Sequence, residues 1–415
     1  MVLARALDGF RVLDLSRVLA GPWATQTLAD LGADVIKVEH PKGGDDTRHW
    51  GPPFVAGTGP RHGLTAHFVA ANRGKRSLAV DFSSREGIEI LHKLVPMVDV
   101  VVENYIPGTL VRRGLGYEQI SALNPALIYC SVSGYGQSGP MAEMPGYDFI
   151  FQGAGGSMSY TGQPEGQPGS GPLRSGMSVV DVSAGLYATS AIMAALLQRG
   201  RTGRGQHIDV SLIDVAVAIN ANFAESYLMT GTPPQRFGNS HPTAAPVGLF
   251  SASDGFLILV IGNDQQFTKF CNAVGRSELA VDERFRASAG RVVHRDELDG
   301  ILAEIIRQRS RQSWCELLAN AGVPSGPIKD LAEVFADDQV RHRGMRVDAF
   351  HHIVGQVPMV RNPLLYDSGG MSPGVPPLLG QHSSELLDEL GYSATEIRRL
   401  SRAGVVGIWD HDGVG

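Results

Sequence analysis

One aspartate stands at the edge of a long uncharged segment, and its position could support chemistry. Asp181 precedes a run from Val182 to Gln198 that contains no formal charge. Small and helix-favouring residues dominate this run, which predicts a buried helix with Asp181 at its N-terminal edge. Unpaired backbone N–H groups and the helix dipole would favour an ionised carboxylate there. Two interpretations stay open at this point: an N-cap that only begins the helix, or a nucleophilic carboxylate directed into a cleft.

The overall composition is that of an ordinary globular protein. The chain has 415 residues, of which 43% are hydrophobic and 19% are charged, and this length predicts two or three domains. The formal net charge of −6 gives no support for a nucleic-acid-binding surface.

The cysteines and the apolar segments indicate a compartment. Cys130, Cys271 and Cys315 are far apart and match no metal or disulfide spacing, which favours buried thiols in a reducing cytosol. The N-terminus runs into a strand pattern without a secretory segment, and the run 182–198 is short for a membrane span. We therefore predict a soluble cytoplasmic protein with no metal and no permanently bound cofactor.

Strand and helix patterns alternate along the first part of the chain. This alternation predicts a doubly wound α/β domain with a parallel sheet, whose ligands lie beyond the C-terminal strand ends. The first strand is followed by SRVLAGPWA and not by the glycine turn of a dinucleotide site, so a nicotinamide cofactor is not expected. The predicted strands are 10–15, 34–39, 77–82, 99–104 and 126–136, and helices are predicted at 20–32, 84–95 and, after a further strand, 215–229.

The sequence pattern changes after residue 230. Residues 231–246 have the composition of a linker or a substrate loop, and a hairpin followed by helices predicts a smaller α+β domain at 247–335. The predicted organisation is therefore a large domain at 1–230, a linker at 231–246, the small domain at 247–335, and a return to the large domain over 336–415. The elements predicted in this half are hairpins at 247–262 and 346–363 and helices at 264–274, 297–308, 311–321, 383–390 and 394–403.

Ten ordered stretches together resemble the class III CoA-transferases, the family of formyl-CoA transferase and carnitine CoA-transferase. Among them are RVLDLSRVLAGPWATQTLADLGADVIKVE (11–39), VVENYIPGTLVRRGLGY (101–117), PGYDFIFQ (145–152) and VVDVSAGLYA (179–188). The resemblance implies a Rossmann-like large domain formed by both chain ends, a smaller α+β domain and an interlocked homodimer. Within the family, the likeness is greatest to the succinate–hydroxymethylglutarate, or glutarate, CoA-transferases.

The resemblance places the family's catalytic aspartate on Asp181 and so favours the nucleophile over the N-cap. A carboxylate with a pKa of about 3.9 is ionised at neutral pH without a helper base. It could attack an acyl-CoA thioester to form a mixed anhydride, and the released CoA would convert this to an aspartyl-CoA thioester. The implied substrates are succinyl-CoA and a dicarboxylic acid such as glutarate.

The same resemblance implies a set of residues that bind CoA. His40 departs from the family pattern, because the formyl-CoA enzyme has an arginine there, and Arg112 matches a phosphate-binding arginine whose fork suits phosphate oxygens. The positions that carry over are Leu19, Ala20, His40, Val80, Asp81, Phe82, Ser83, Asn104, Tyr105, Ile106, Arg112, Met144, Pro145, Gly146 and Tyr147.

A dicarboxylate leaves one carboxylate unreacted, and a dry pocket must pair that charge. Arg174, seven residues before Asp181, is the first candidate for this pairing, with His241 and Arg48 behind it. The segment 237–242, which contains Gly238, is either a loop that closes over the site or a plain linker.

Two other functions remain open. The α-methylacyl-CoA racemases of the same superfamily use a histidine and an aspartate as opposed proton carriers, and their histidine falls on Tyr147. A tyrosine with a pKa near 10 is a poor proton carrier near neutrality, which disfavours racemisation. The other alternative is an acyl-CoA-binding protein without chemistry, which the retained Asp181 disfavours.

Overall fold

A seven-stranded sheet forms the centre of the protein. The computed structural model describes residues 5–366, 374–410 and 413–414. The strands are β1 (Arg11–Asp14), β2 (Asp34–Glu39), β3 (Lys75–Val80), β4 (Val100–Glu103), β5 (Ile128–Ser133), β6 (Gln206–Ser211), β7 (Val247–Ala252), β8 (Gly255–Val260), β9 (Ser325–Pro327), β10 (Arg346–His351), β11 (Gly355–Val360), β12 (Val406–Gly407), β13 (Trp409–Asp410) and β14 (Gly413–Val414). The order in the large sheet is β12–β3–β2–β1–β4–β5–β6, and every neighbouring pair is parallel except β12 with β3. The predicted parallel α/β sheet is thus confirmed.

Helices cover both faces of this sheet. On one face, alanine and branched residues of the helices Ala20–Asp30 and Val179–Thr202 pack with β1, β4 and β5. On the other face, the helices Arg85–Leu94, Ser383–Glu389 and Ala394–Arg402 pack against β2, β3 and β4. The helices are α1 (Ala20–Asp30), α2 (Ala66–Asn72), α3 (Arg85–Leu94), α4 (Tyr117–Ser121), α5 (Asp148–Ala154), α6 (Ser157–Tyr160), α7 (Val179–Thr202), α8 (Leu212–Ala218), α9 (Asn222–Thr230), α10 (Asp264–Ala273), α11 (Ser288–Val293), α12 (Arg295–Ile306), α13 (Arg311–Asn320), α14 (Leu331–Ala336), α15 (Asp338–His342), α16 (Ser383–Glu389) and α17 (Ala394–Arg402).

The chain divides into two compact units. The first comprises Met1–Gly156, Ser175–Leu228 and Arg341–Gly415, and the second Ser157–Arg174 and Met229–Val340. The short strand β12 joins the edge of the large sheet, so the C-terminal segment belongs to the same sheet as the N-terminal strands. The sequence pattern had assigned residues 157–174 to the large domain, whereas here they group with the second unit. The predicted domain bounds themselves stay a prediction.

The second unit has its own core. Strands β7, β8 and β9 form an antiparallel sheet, and α10, α12 and α13 cover it with buried aromatic and aliphatic residues such as Phe267, Phe270 and Leu302. Trp314 is also buried, and its indole N–H donates to the Ile306 carbonyl at 2.6 Å, which satisfies its polar atom.

Several helices differ from the sequence prediction, among them the unpredicted α2, α6, α11, α14 and α15, and two differences lie close to α7 in the chain. The predicted helix 215–229 is two helices, α8 and α9, because the chain leaves the helical conformation at Ala221, whose φ is 46°. A non-glycine residue in this left-handed region interrupts a right-handed helix. Helix α5 was not predicted. It follows the turn-like stretch MPGY and begins at Asp148.

Helix α7 is longer than predicted, and in length and composition it could cross a membrane. A core helix of a soluble protein passes the same test. Here Ala184, Ala188 and Ile192 of α7 are fully buried in the core that α1 and the large sheet share.

Candidate active site

Asp181 is the third residue of α7 and does not cap it. The N-cap residue is Ser178, whose side chain makes no capping hydrogen bond. Instead, Oδ1 of Asp148 accepts the backbone N–H groups of Val180 at 2.8 Å and of Asp181 at 3.1 Å. The N-cap interpretation of Asp181 is therefore wrong, and Asp148 performs that role from another helix.

The side chain of Asp181 opens into a cavity of about 300 Å³ at the C-terminal ends of the parallel strands, which we call the Asp181 cavity. No hydrogen bond to the carboxylate is formed by the residues that the structure describes. The wall is formed by the segments that follow β1, β4 and β5 and by the segment before α5. It consists of Arg17, Val18, Leu19, Ala20, Asp46, Asn104, Tyr105, Ile106, Pro107, Thr109, Val132, Ser133, Gly134, Ala142, Met144, Pro145, Gly146, Tyr147, Asp181 and Leu212.

The electrostatics of Asp181 differ from the expectation. Burial, followed by the nearby carboxylate of Asp148, raises the pKa of Asp181 to about 7. No N–H group in the first turn is left to lower this pKa by a hydrogen bond, because Asp148 accepts those of Val180 and Asp181, while those of Val179 and Val182 donate to the carbonyls of Met177 and Ser178. The expectation of an ordinary pKa of about 3.9 is thus wrong for this site.

A glycine allows α1 to approach α7 next to Asp181. A Cβ atom at Gly185 would lie 2.8 Å from the Ala20 carbonyl oxygen and 3.0 Å from the Cβ atom of Trp23. Gly185 is one helical turn after Asp181 and lies on the same side of α7, so this approach brings the start of α1 to the carboxylate. The N–H groups of Leu19, Ala20 and Gly21 have no partner among the described residues, and Leu19 and Ala20 line the cavity.

The loop that leads into α1 is held in an unusual conformation. Val18 has a φ of 68°, a left-handed value that a β-branched residue rarely adopts. Its N–H donates to the Asp45 carboxylate at 3.2 Å, and the side-chain amide of Asn104 bonds both the N–H and the C=O of Arg17, at 2.8 and 2.7 Å. The surroundings therefore fix the loop at one wall of the Asp181 cavity.

A buried ion pair between Lys37 and Asp45 holds this loop in place. The Lys37 ammonium lies 2.9 Å from Asp45 and donates to the Ser16 carbonyl at 3.0 Å, and both charged side chains are fully buried. Burial alone would raise the pKa of Asp45, but Lys37 and the hydrogen bonds from Lys37 and Thr47 lower it to about 2. Asp45 is thus a fixed acceptor for the loop across the physiological pH range.

A second cavity, of about 470 Å³, adjoins the first, since Arg17, Asp46 and Tyr105 line both. We call it the Arg113 cavity. Its other cationic residues include Lys42 and Arg113, and the Arg113 guanidinium lies 5.3 Å from the centre of the Phe82 ring. Arg17 and Lys37 on this wall are paired with Asp46 and Asp45, so Lys42 and Arg113 are the cations that could contact an anionic group such as a phosphate.

Most of the predicted CoA-binding residues lie at these two cavities. The Asp181 cavity contains Leu19, Ala20, Asn104, Tyr105, Ile106, Met144, Pro145, Gly146 and Tyr147, and the Arg113 cavity contains His40, Asp81, Phe82, Ser83 and, again, Tyr105.

Two predicted CoA-binding residues lie elsewhere. Val80 is fully buried in the core beneath the sheet. Arg112 is exposed and lines neither cavity as the structure describes them, and its guanidinium is 3.4 Å from the Thr109 hydroxyl. Its phosphate contact stays a prediction, while Arg113, its neighbour in sequence, reaches the cavity.

The proposed substrate residues divide into two groups. Arg48 is only 2% exposed, and its guanidinium forms a two-point contact with the Glu39 carboxylate at 2.6 and 2.7 Å, over the Phe68 ring. It is a structural residue, and the expectation that it pairs a substrate carboxylate is corrected. Arg174, Gly238 and His241 belong to the second unit, and their roles stay predictions.

Sequence reasoning missed three contributors to the site. They are the support that Asp148 gives to Asp181, the fixing of the Arg17 backbone by Asn104, and the buried Lys37–Asp45 pair. Asp148 and Asn104 reach partners that are distant in sequence, whereas Lys37 and Asp45 are joined across the end of β2. Arg17 itself was expected at the end of a strand, but without a role. One signal was available for Asp148: it lies in the stretch PGYDFIFQ, where an acidic residue stands before an apolar run, as at the start of a helix.

The chain is similar to known proteins along most of its length. A family model described as CoA-transferase family III matches residues 7–383. The succinate–glutarate CoA-transferase of Agrobacterium fabrum is 47% identical over 92% of this chain and 95% of its own length. The human succinyl-CoA:glutarate CoA-transferase is 41% identical over 97% of this chain and 90% of its own length. The crystal structure of a CAIB/BAIF family protein from Brucella suis superposes with a TM-score of 0.85 at 46% identity, covering 94% of this chain and all of that one.

Proposed function

Because the chain belongs to CoA-transferase family III, we propose that it moves CoA from succinyl-CoA to a dicarboxylic acid, with glutarate as the leading acceptor. The relatives from Agrobacterium fabrum and human, which align with more than nine-tenths of this chain, are named for that pair of acids. The observation that carries the proposal is the Asp181 carboxylate, which faces a cavity at the strand ends without a hydrogen bond to the residues that the structure describes.

The proposed reaction uses Asp181 as a covalent nucleophile. A carboxylate oxygen attacks the thioester carbonyl of succinyl-CoA, and the CoA thiolate leaves, which gives a succinyl–aspartyl anhydride. The thiolate then attacks the aspartyl carbonyl carbon and releases succinate, which leaves an aspartyl-CoA thioester. A carboxylate oxygen of glutarate attacks the carbonyl carbon of this thioester and expels the CoA thiolate, which gives a glutaryl–aspartyl anhydride. The thiolate then attacks the glutaryl carbonyl, which gives glutaryl-CoA and the free Asp181 carboxylate. CoA and its thioesters are thus substrates of the protein.

Each of these steps passes through a tetrahedral oxyanion, which needs hydrogen-bond donors in fixed positions. We assign this role to the unpaired N–H groups of Leu19 and Ala20, on the cavity wall at the start of α1. The pantetheine part of CoA would follow the walls at 104–106 and 144–147. The phosphates would lie toward Lys42 and Arg113 in the adjoining cavity.

Racemisation is the second candidate, and Tyr147 argues against it. The Tyr147 side chain is 66% exposed and lines the Asp181 cavity at the position where the racemases have their histidine. A phenol near pH 7 is a weak acceptor for a proton from the α-carbon. Exchange of the α-proton of a 2-methylacyl-CoA in deuterated water should stay at background, and exchange at catalytic rates would favour the racemase.

The free carboxylate of the dicarboxylic acid needs a cationic partner, and Arg174 is our candidate, with His241 behind it. Arg174→Met should raise the KM for glutarate strongly and that for butyrate hardly at all. A charge-assisted hydrogen bond is worth roughly 1.5–3 kcal/mol, so about a tenfold change is expected. Equal effects on both acids would remove Arg174 from the substrate site. The role of the segment around Gly238 as a closing loop belongs to the same proposal.

We also propose that two chains form an interlocked homodimer. Helix α7 leaves Leu186 half exposed and Leu197 71% exposed, and large apolar side chains on one helix face suit a protein partner. Light scattering should give twice the mass of one chain at micromolar concentration.

The free cysteines, of which Cys130 and Cys271 are buried, support a reducing compartment such as the cytoplasm.

The direct test of the function is an Asp181→Ala variant assayed with succinyl-CoA and glutarate. Transfer should fall to background, whereas CoA binding and thermal stability should be retained. A binding protein without chemistry would show no transfer in the unmodified chain, and an active Asp181→Ala variant would exclude Asp181 as the nucleophile.

A further inference from the structure

We propose that Asp148 is a positioning residue for the reaction of Asp181: it fixes the first turn of the helix that carries the nucleophile and places a second negative charge beside the reacting carboxylate. This inference rests on the proposed function, since it gives Asp148 a part in the chemistry of Asp181. Asp148 does not line the Asp181 cavity, so it acts through its neighbours and does not contact the substrate.

Asp148 is a buried residue whose carboxylate is fully engaged in hydrogen bonds to the start of α7 and to α5. Its carboxylate is only 6% exposed and accepts three hydrogen bonds, from the N–H groups of Val180 and Asp181 and from the Gln152 amide at 2.6 Å. Gln152 in turn accepts the N–H of Ser175 at 2.8 Å. Asp148 and Gln152 of α5 therefore hold both the start of α7 and the loop that leads to it.

The charges around Asp181 make Asp148 the dominant neighbour. The other titratable or charged groups on the cavity wall are Arg17 and Asp46, which pair with each other at 3.2 Å, and the phenols of Tyr105 and Tyr147. Within the described part of the chain, no cation is paired with Asp148. After burial, its charge is the second cause of the raised pKa of Asp181.

This arrangement has a consequence for the reaction. A more basic carboxylate is a stronger nucleophile once ionised, but a smaller fraction of it is ionised below pH 7. Removing the charge of Asp148 should make Asp181 a weaker nucleophile at high pH and a more fully ionised one at low pH. The two effects have opposite signs, which separates them from simple loss of structure.

The test is the pH profile of kcat/KM for succinyl-CoA with glutarate as acceptor, from about pH 5 to about pH 9. In the unmodified protein, kcat/KM should fall about tenfold per pH unit below pH 7. In Asp148→Asn, the acid limb should move down by about one pH unit or more and the plateau should drop about threefold, which is less than the roughly tenfold gain that this displacement gives at low pH, so the absolute profiles of kcat/KM cross. Glu143→Gln removes one exposed negative charge five residues upstream and should leave the profile unchanged.

Asn at position 148 would direct its NH2 group at the Gln152 NH2 group, which could impair folding. The double variant Asp148→Asn with Gln152→Glu restores a donor–acceptor pair there, and its acid limb should show a smaller shift in the same direction.

A uniform drop in kcat/KM at every pH would reduce Asp148 to a structural residue. If kcat/KM of the unmodified protein falls only near pH 4, the inference is overturned by that measurement alone. An active Asp181→Ala variant would instead overturn the proposed function itself, so the two failures are distinguishable.

Discussion

Asp148 and Asp181 lie 33 residues apart in sequence, yet Oδ1 of Asp148 accepts the backbone N–H of Asp181 at 3.1 Å. A carboxylate from α5 therefore does what the Asp181 side chain would do as an N-cap. This frees the Asp181 side chain to face the cavity, and it also places a second carboxylate close by. Both consequences follow from one hydrogen-bonded contact between two helices.

The raised pKa of Asp181 predicts a pH-dependent stability. Its pKa is about 7 in the folded chain and near 3.8 when unfolded, so the folded state holds a proton that the unfolded state releases between these values. The stabilising contribution is complete below about pH 4 and is lost as the pH rises through 7. The Asp181→Asn variant lacks this titrating carboxylate. It should therefore be more stable than the unmodified protein at pH 8, by about 1–3 kcal/mol, and this difference should be smaller at pH 5.

Denaturant unfolding at these two pH values measures this difference. Glu143→Gln, which changes an exposed carboxylate and retains Asp181, is the matched control, and its difference in stability from the unmodified protein should be similar at the two pH values. An Asp181→Asn variant with the same relative stability at pH 5 and pH 8 would show that Asp181 has an ordinary pKa.

Arg113 and Arg112 offer a matched pair for the phosphate site. Arg113 lines the cavity with Lys42 and His40, whereas Arg112 points to Thr109 and lines neither cavity. Arg113→Ala should raise the KM for acyl-CoA about tenfold with little change in kcat, because a phosphate contact is worth roughly 1.5–3 kcal/mol. Arg112→Ala should have the smaller effect. If steady-state kinetics give the larger rise in KM for Arg112→Ala, Arg112 and not Arg113 binds the phosphate.

Gly185 should be required for the approach of α1 to α7. The Cβ of Gly185→Ala would lie 2.8 Å from the Ala20 carbonyl oxygen, and the forced separation should destabilise the protein by about 1–3 kcal/mol. Gly200→Ala, on the same helix in open space, is the control and should be neutral or stabilising by about 0.5–1 kcal/mol. Equal unfolding midpoints for the two variants would contradict close packing at Gly185.

Much of the fold could be predicted because the relevant signals are local. Strand β2 has the bounds that its apolar run predicts, and α3 lies within one residue of its predicted ends, since period and capping residues are read from neighbouring positions. The break at Ala221 was missed because nothing in the apolar pattern marks the change of φ there.

The candidate site was predictable only where a motif carried it. Asp181 was identified from its place before an uncharged helix and from a family resemblance, but its raised pKa depends on Asp148, which only the folded chain brings near. Arg48 was misassigned for the same reason: its charge suggested a substrate contact, while its partner Glu39 sits on β2 and buries it. Which of two adjacent arginines faces a cavity is likewise set by the backbone and not by composition.

The most direct test of the central claim follows oxygen from glutarate to Asp181. If Asp181 forms an anhydride with the acceptor, one carboxylate oxygen of glutarate remains on Asp181 after each turnover. The protein would be incubated with succinyl-CoA and glutarate labelled with oxygen-18, and digested with trypsin. The peptide Ser175–Arg199 contains Asp181 as its only acidic side chain, so its mass reports on this residue alone. A gain of about 2 Da, rising to about 4 Da after repeated turnovers, is predicted. Turnover with no gain in mass would contradict covalent catalysis by Asp181.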